Sequence, residues 1–100
     1  MPFDRPIPHP LNNRCVSLFA PSQSGLYGIS SRHEWVYIGE ADDIRNALLL
    51  FLEGNESKEK AKADMMRLGF VFELCPRGLR PGRQDQLVRE YEPKRNRRLF

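Results

Sequence analysis

One hundred residues with 40% hydrophobic content make one small domain with a single modest core. The net charge of +3 and the 29% of charged residues describe an ordinary surface, and the longest apolar run, Ala47 to Leu52, is far too short to span a bilayer. The opening Met1-Pro2-Phe3-Asp4-Arg5-Pro6 lacks the basic-then-apolar order of a secretory leader, and Cys15 and Cys75, without metal-ligand spacing, read as two free thiols in a reducing cytoplasm rather than a lone disulfide.

Residues 1–23 read as a proline-rich N-terminal arm with an edge strand: residues 1–13 hold Pro2, Pro6, Pro8 and Pro10, which preclude a helix in that stretch and leave it extended. Val16 to Ala20 is expected to add a short edge strand, and Pro21-Ser22-Gln23-Ser24-Gly25 a turn. Two short apolar runs follow, Leu26 to Ser30 and Trp35 to Gly39, with polar Ser31-Arg32-His33-Glu34 between them. They predict a β-hairpin presenting Tyr27 and Tyr37.

After Gly39 the period changes. Ala41-Asp42-Asp43 offers an N-cap and an acidic first turn, and Ile44, Ala47, Leu48, Phe51 and Leu52 recur at helical spacing until Gly54-Asn55. A second helix is expected from about Glu56 to Leu68, ended by Gly69. Phe70 to Cys75 reads as a buried strand closed by Pro76, and Arg77 to Gly82 as a loop. Arg83 to Glu92 reads as a last helix, with Leu87, Val88 and Tyr91 on one face and Pro93 as its breaker. The order β-β-α-α-β-α predicts an α+β fold, a small three-stranded antiparallel-type sheet flanked by helices.

The charge is unevenly spread. Between Arg77 and Arg98 stand eight basic residues against Asp85, Glu90 and Glu92, so this segment carries about +5 and the rest of the chain is slightly acidic. A basic end of this kind attracts phosphate backbones, although a solvated helix face and tail would look the same. Arg83, Arg89, Lys94, Arg95, Arg97 and Arg98 are the cations placed to touch nucleic acid.

The pairing of Gly25-Leu26-Tyr27 with Tyr37-Ile38-Gly39, followed by Ala41-Asp42-Asp43-Ile44-Arg45, resembles the GIY-YIG nuclease family, which is named for these two tripeptides. Gln84 to Asn96, with Leu87-Val88, Tyr91, Pro93 and Asn96 in order, is similar to that family's last helix. The resemblance covers residues 24–98 and implies a GIY-YIG-like domain over residues 24–100 that would act on nucleic acid. In the family a hairpin tyrosine helps activate the attacking water, an arginine on the first helix stabilises the phosphate, and a glutamate on the last helix holds one divalent metal. Phosphoryl transfer needs positive charge where negative charge develops, and a hard cation needs an anionic oxygen.

Residue by residue, the resemblance is incomplete. Tyr27, Tyr37 and Asn96 match. The family arginine falls on Ala47, and Arg45 stands two positions earlier, about 200° around the helix. The tyrosine or histidine four residues beyond falls on Phe51, which exchanges no proton. The lysine that the repair-nuclease branch carries after the YIG glycine is Glu40 here. The metal glutamate falls on Gln84, a neutral amide and a weak ligand for a hard ion. These positions predict a vestigial site with no cofactor, and Mg²⁺ or Mn²⁺ only if some activity survives with Glu40 or Asp85 as replacement ligand.

Plainer roles exist for the same residues. Tyr27, Tyr37 and Trp35 suit hairpin packing, Asn96 suits a cap, and His9 and His33 have no ligand-spaced partner. The run from Leu48 to Leu52 suits a core face and a neighbouring element or second subunit. Three functions therefore stand open: a non-cutting domain that binds DNA or RNA, a protein-interaction module on the same fold, and a metal-dependent endonuclease with an altered site.

Overall fold

The computed structural model describes residues 3, 7–31, 34–54 and 68–93. In chain order the elements are β1 (His9–Pro10), α1 (Asn13–Phe19), β2 (Gly25–Ser30), β3 (Trp35–Ala41), α2 (Ile44–Gly54), β4 (Gly69–Leu74), a 3-10 turn (Arg77–Leu79) and α3 (Arg80–Tyr91). The strands form one antiparallel sheet in the order β1-β4-β2-β3. The fold is α+β with an antiparallel sheet and flanking helices, but the sheet has four strands where the sequence suggested three. The second helix read from about Glu56 to Leu68 falls, except for Leu68, outside the described residues.

The expected edge strand over Val16 to Ala20 is helical instead. The Asn12 side chain accepts from the Cys15 backbone N–H at 2.7 Å, which caps α1, and Val16 and Ala20, four apart, bury one helical face. The true edge strand is the two-residue β1, which pairs His9 with Phe70 and Pro10 with Gly69. An edge is where a strand tolerates proline. The expected loop from Arg77 to Gly82 is a 3-10 turn running into α3, because Pro81 lies in the first turn, where its missing N–H costs nothing. The helix ends at Glu92, which takes a left-handed conformation (φ 47°) and donates its N–H to the Val88 carbonyl at 2.8 Å.

As the strand between β3 and β4, β2 is buried throughout. Its alternation sends Tyr27 and Ile29 to one face and Leu26 to the other. On the first face they meet Phe70 of β4, Ile44, Leu48 and Leu52 of α2, and Val16 and Ala20. On the second, Leu26, Ile38 and Val71 meet Leu87 of α3, Cys75 and Phe3. Phe3 stacks on Trp35 and on Tyr91, and its backbone N–H donates to the Tyr91 hydroxyl at 3.1 Å. Among the described residues, α1 and α2 thus cover one side of the sheet and α3 the other. Among the described residues no helix is long and apolar enough to cross a membrane.

Candidate functional site

The hairpin tyrosines are placed by strand geometry. Tyr27 pairs across the ladder with Gly39, and Tyr37 with Ile29, so the two phenols are diagonal neighbours on the α2 face. Their ring centroids lie 6.0 Å apart. Tyr27 lies directly over Gly39: a methyl group there would stand 2.6 Å from the Tyr27 hydroxyl, 2.7 Å from its Cζ and 2.7 Å from Tyr37 Cε2. Only glycine leaves room for this pair. Burial, and then the proximity of Tyr37 and a hydrogen bond with it, push the Tyr27 phenol up to about 12. Tyr27 therefore stays protonated at neutral pH.

Ala47 and Phe51 lie on α2, half-buried against the core that holds these rings. Ala47 brings no charge to the tyrosines. Arg45 is turned elsewhere: its Nε donates to the Ala20 carbonyl at 2.8 Å and holds the end of α1.

From the other side of the sheet, α3 reaches the edge strand β3. Gln84 Nε2 donates to the Ile38 carbonyl at 3.1 Å. The opposite amide orientation would set two oxygens against each other, so the donor must face the strand. One turn earlier, Arg80 points to the same strand, with its Nε 3.5 Å from Glu40 Oε1 and its Nη1 2.8 Å from Asp42 Oδ1 and 3.3 Å from Ser24 Oγ. A four-residue helical step, about 6 Å, matches a two-residue strand step of about 6.6 Å, so Arg80 and Gln84 meet successive outward positions of β3. The Arg80 side chain is only 7% exposed. Its guanidinium holds the Asp42 carboxyl below the usual carboxylate range, helped by Arg77 at 4.0 Å. Arg80 escaped the sequence reading because it sits in a Gly/Pro/Arg stretch. The available signal was its position four before Gln84, together with two acids following the YIG glycine.

The cations proposed for nucleic acid divide into three groups. Arg83 is engaged internally, with Nε 2.6 Å and Nη2 2.8 Å from the two carboxylate oxygens of Glu73, the side chains being 16% and 15% exposed. Arg89 is 81% exposed and pairs with Asp85 one turn away at 3.2 Å. Lys94, Arg95, Arg97 and Arg98 lie outside the described residues, as does Asn96. The two alternative ligands are also far from equivalent: Glu40 faces Arg80, and Asp85 lies on the exposed side of α3 with Arg89.

A hairpin carrying two packed tyrosines, a covering helix on one side and a helix reaching the edge strand from the other define the GIY-YIG fold, and this chain has it. Among the solved structures it matches are several of the GIY-YIG N-terminal endonuclease domain of UvrC from Thermotoga maritima. The magnesium-bound form is 25% identical with a TM-score of 0.60, covering 82% of this chain and 92% of that one. A tyrosine-to-phenylalanine point mutant bound to the catalytic divalent cation is 22% identical with a TM-score of 0.63, covering 86% and 96%. An asparagine-to-alanine mutant is 21% identical with a TM-score of 0.61, covering 82% and 91%. No protein-family model matches the chain, and no curated protein does.

The donor set of this chain suits a divalent ion poorly. A hard cation wants anionic oxygens. Gln84 supplies a neutral amide whose nitrogen is committed to Ile38, and the carboxylates of Glu40 and Asp42 are already engaged by a guanidinium.

Proposed function

We propose that this domain binds nucleic acid through its basic end and does not hydrolyse it. The observation that carries the reading is the Gln84 bond to Ile38. At the position where the resemblance expects a metal-holding carboxylate, this chain uses an amide as a donor to its own backbone, a role a glutamate cannot fill. Ala47 removes the phosphate-stabilising arginine, and Phe51 removes a proton carrier. Loss of one such electrostatic stabiliser typically costs ~10²–10³ in rate. Binding rests on Arg89 and on Lys94, Arg95, Arg97 and Arg98, cations that would give sequence-tolerant, salt-sensitive contacts to phosphates. The fold suits DNA or RNA as partner. A cytoplasmic location would keep Cys15 and Cys75, both free thiols, reduced.

The test is a titration of labelled single- and double-stranded DNA at two salt concentrations, with and without Mn²⁺, each sample then run on a denaturing gel. Binding that weakens with salt and leaves the strands intact is the expected result. Metal-dependent cleavage would overturn the reading. Absence of both binding and cleavage would favour the protein-interaction module, for which the specific observation is the exposed trio Ile7, Leu18 and Phe19 beside β1.

A further inference from the structure

Arg80 is the most confined charge among the described residues, and nothing in the reading above requires it. Its Nε makes no hydrogen bond and is sealed from solvent, although Glu40 Oε1 stands 3.5 Å away, while Nη1 serves Asp42 and Ser24. A guanidinium placed this way is less a strong hydrogen-bonding partner than a fixed positive charge set between two carboxylates. It lies on the face of α3 that carries Gln84, one turn away, and against the strand that carries Tyr37. The solved structures of this fold are bound to a divalent cation, and this chain places a covalently attached cation one turn from Gln84, the position where the resemblance expects the metal-holding glutamate.

We infer that the Arg80 guanidinium is a resident cation that replaces the divalent metal electrostatically, neutralising Glu40 and Asp42 and barring a metal ion from the joint between β3 and α3. The inference rests on the non-hydrolysing reading and sharpens it. Gln84 removes a ligand, whereas Arg80 occupies the charge, and the two changes act separately. A divalent ion entering beside Arg80 would meet a buried like charge and would have to take oxygens from it. Restoring the carboxylate at position 84 alone is therefore insufficient to restore metal binding. Removing the guanidinium as well leaves Glu40 and the new carboxylate without that cation, and Asp42 with only the exposed Arg77 at 4.0 Å, a set that a hard cation would stabilise.

The experiment compares the full chain with the variants Q84E, R80Q and R80Q/Q84E by thermal unfolding with increasing Mn²⁺, and by the EPR signal of free Mn²⁺. The wild type and Q84E are expected to bind no Mn²⁺ and to unfold at temperatures that the metal leaves unchanged. R80Q/Q84E should melt roughly 10 °C lower without metal and recover at least about half of that as Mn²⁺ is added, with a matching loss of free-ion signal. If the wild type binds Mn²⁺ at this joint, the non-hydrolysing reading fails and the inference with it. If the wild type does not bind and Q84E binds as well as the double variant, the non-hydrolysing reading stands and the role given to Arg80 is wrong. A folded double variant indifferent to Mn²⁺ overturns it equally. Should the double variant not fold at any Mn²⁺ concentration, the metal has failed to stand in for the guanidinium, and the inference is overturned.

Discussion

The substitution Gly39→Ala tests how the tyrosine pair is built. The added methyl would stand 2.6 Å from the Tyr27 hydroxyl, 2.7 Å from its Cζ and 2.7 Å from Tyr37 Cε2, three contacts inside van der Waals distance. The Tyr27 ring cannot swing away freely, because it is packed with Ile29, Ile44, Leu48 and Phe70. Overpacking of this kind costs about 1–3 kcal/mol. Taking about 2 kcal/mol, a domain of this size should lose roughly 8–16 °C in Tm, measurable by circular dichroism. Combining Gly39→Ala with Tyr27→Phe should recover only a small part, since the ring carbon remains in conflict after the oxygen has gone. The same displacement exposes the phenol, so its ionisation in the Gly39→Ala variant, followed by ultraviolet absorbance, should fall from about 12 toward the ordinary 10. A Gly39→Ala protein with unchanged Tm and unchanged Tyr27 titration would refute the close-approach argument and leave the YIG glycine without a structural reason.

The Tyr27 phenol also sets an alkaline limit. Its neutral form is favoured by folding, so its contribution is fully present below pH 10 and is lost as the pH climbs through about 12. About 1.4 kcal/mol, half of the whole effect, is lost between about pH 8 and about pH 11, which urea unfolding at those two values should detect, and Tyr27→Phe should flatten the difference; equal pH dependence in the two proteins would contradict this. Arg83→Ala should destabilise the domain by about 1–3 kcal/mol by removing the two-pronged contact to the shielded Glu73 carboxylate, while the salt dependence of nucleic-acid binding stays unchanged. Arg89→Ala should do the reverse, leaving Tm in place and reducing the salt slope by about one; a common effect of both substitutions would show that the helix face acts as a single surface.

The parts legible in the sequence are those whose signals are local. The hairpin shows in two apolar runs around polar residues, α2 in the spacing of Ile44, Leu48 and Leu52 after an Asp43 cap, and β4 in the apolar run Phe70-Val71-Phe72 before the breaker Pro76. β1 carries no such signal, because a two-residue strand containing proline exists only by leaning on Phe70 and Gly69, some 60 positions away. In α1 the β-prone Val16 and Phe19 mask a helix whose evidence is the Asn12 cap and the four-residue spacing of Val16 and Ala20. At the candidate site, the positions of Tyr27, Tyr37 and Gln84 follow from the motifs. What each side chain does was not legible: the Gln84 donor needs the Ile38 carbonyl, Arg83 needs Glu73, and Arg80 needs Glu40 and Asp42. Each of these partnerships is decided by how α3 docks, which a residue's own neighbours in sequence do not encode.

The stacking of Phe3 against Trp35 and Tyr91 orders events during synthesis. Phe3 leaves the ribosome 88 residues ahead of the hydroxyl that accepts its backbone proton. Until α3 has emerged, Leu26, Ile38 and Val71 have no helix to cover them, even though the hairpin and α2 can already pack on the opposite side. The half-covered sheet is then an adhesive intermediate, and the nascent chain must be kept from its neighbours until its last helix arrives.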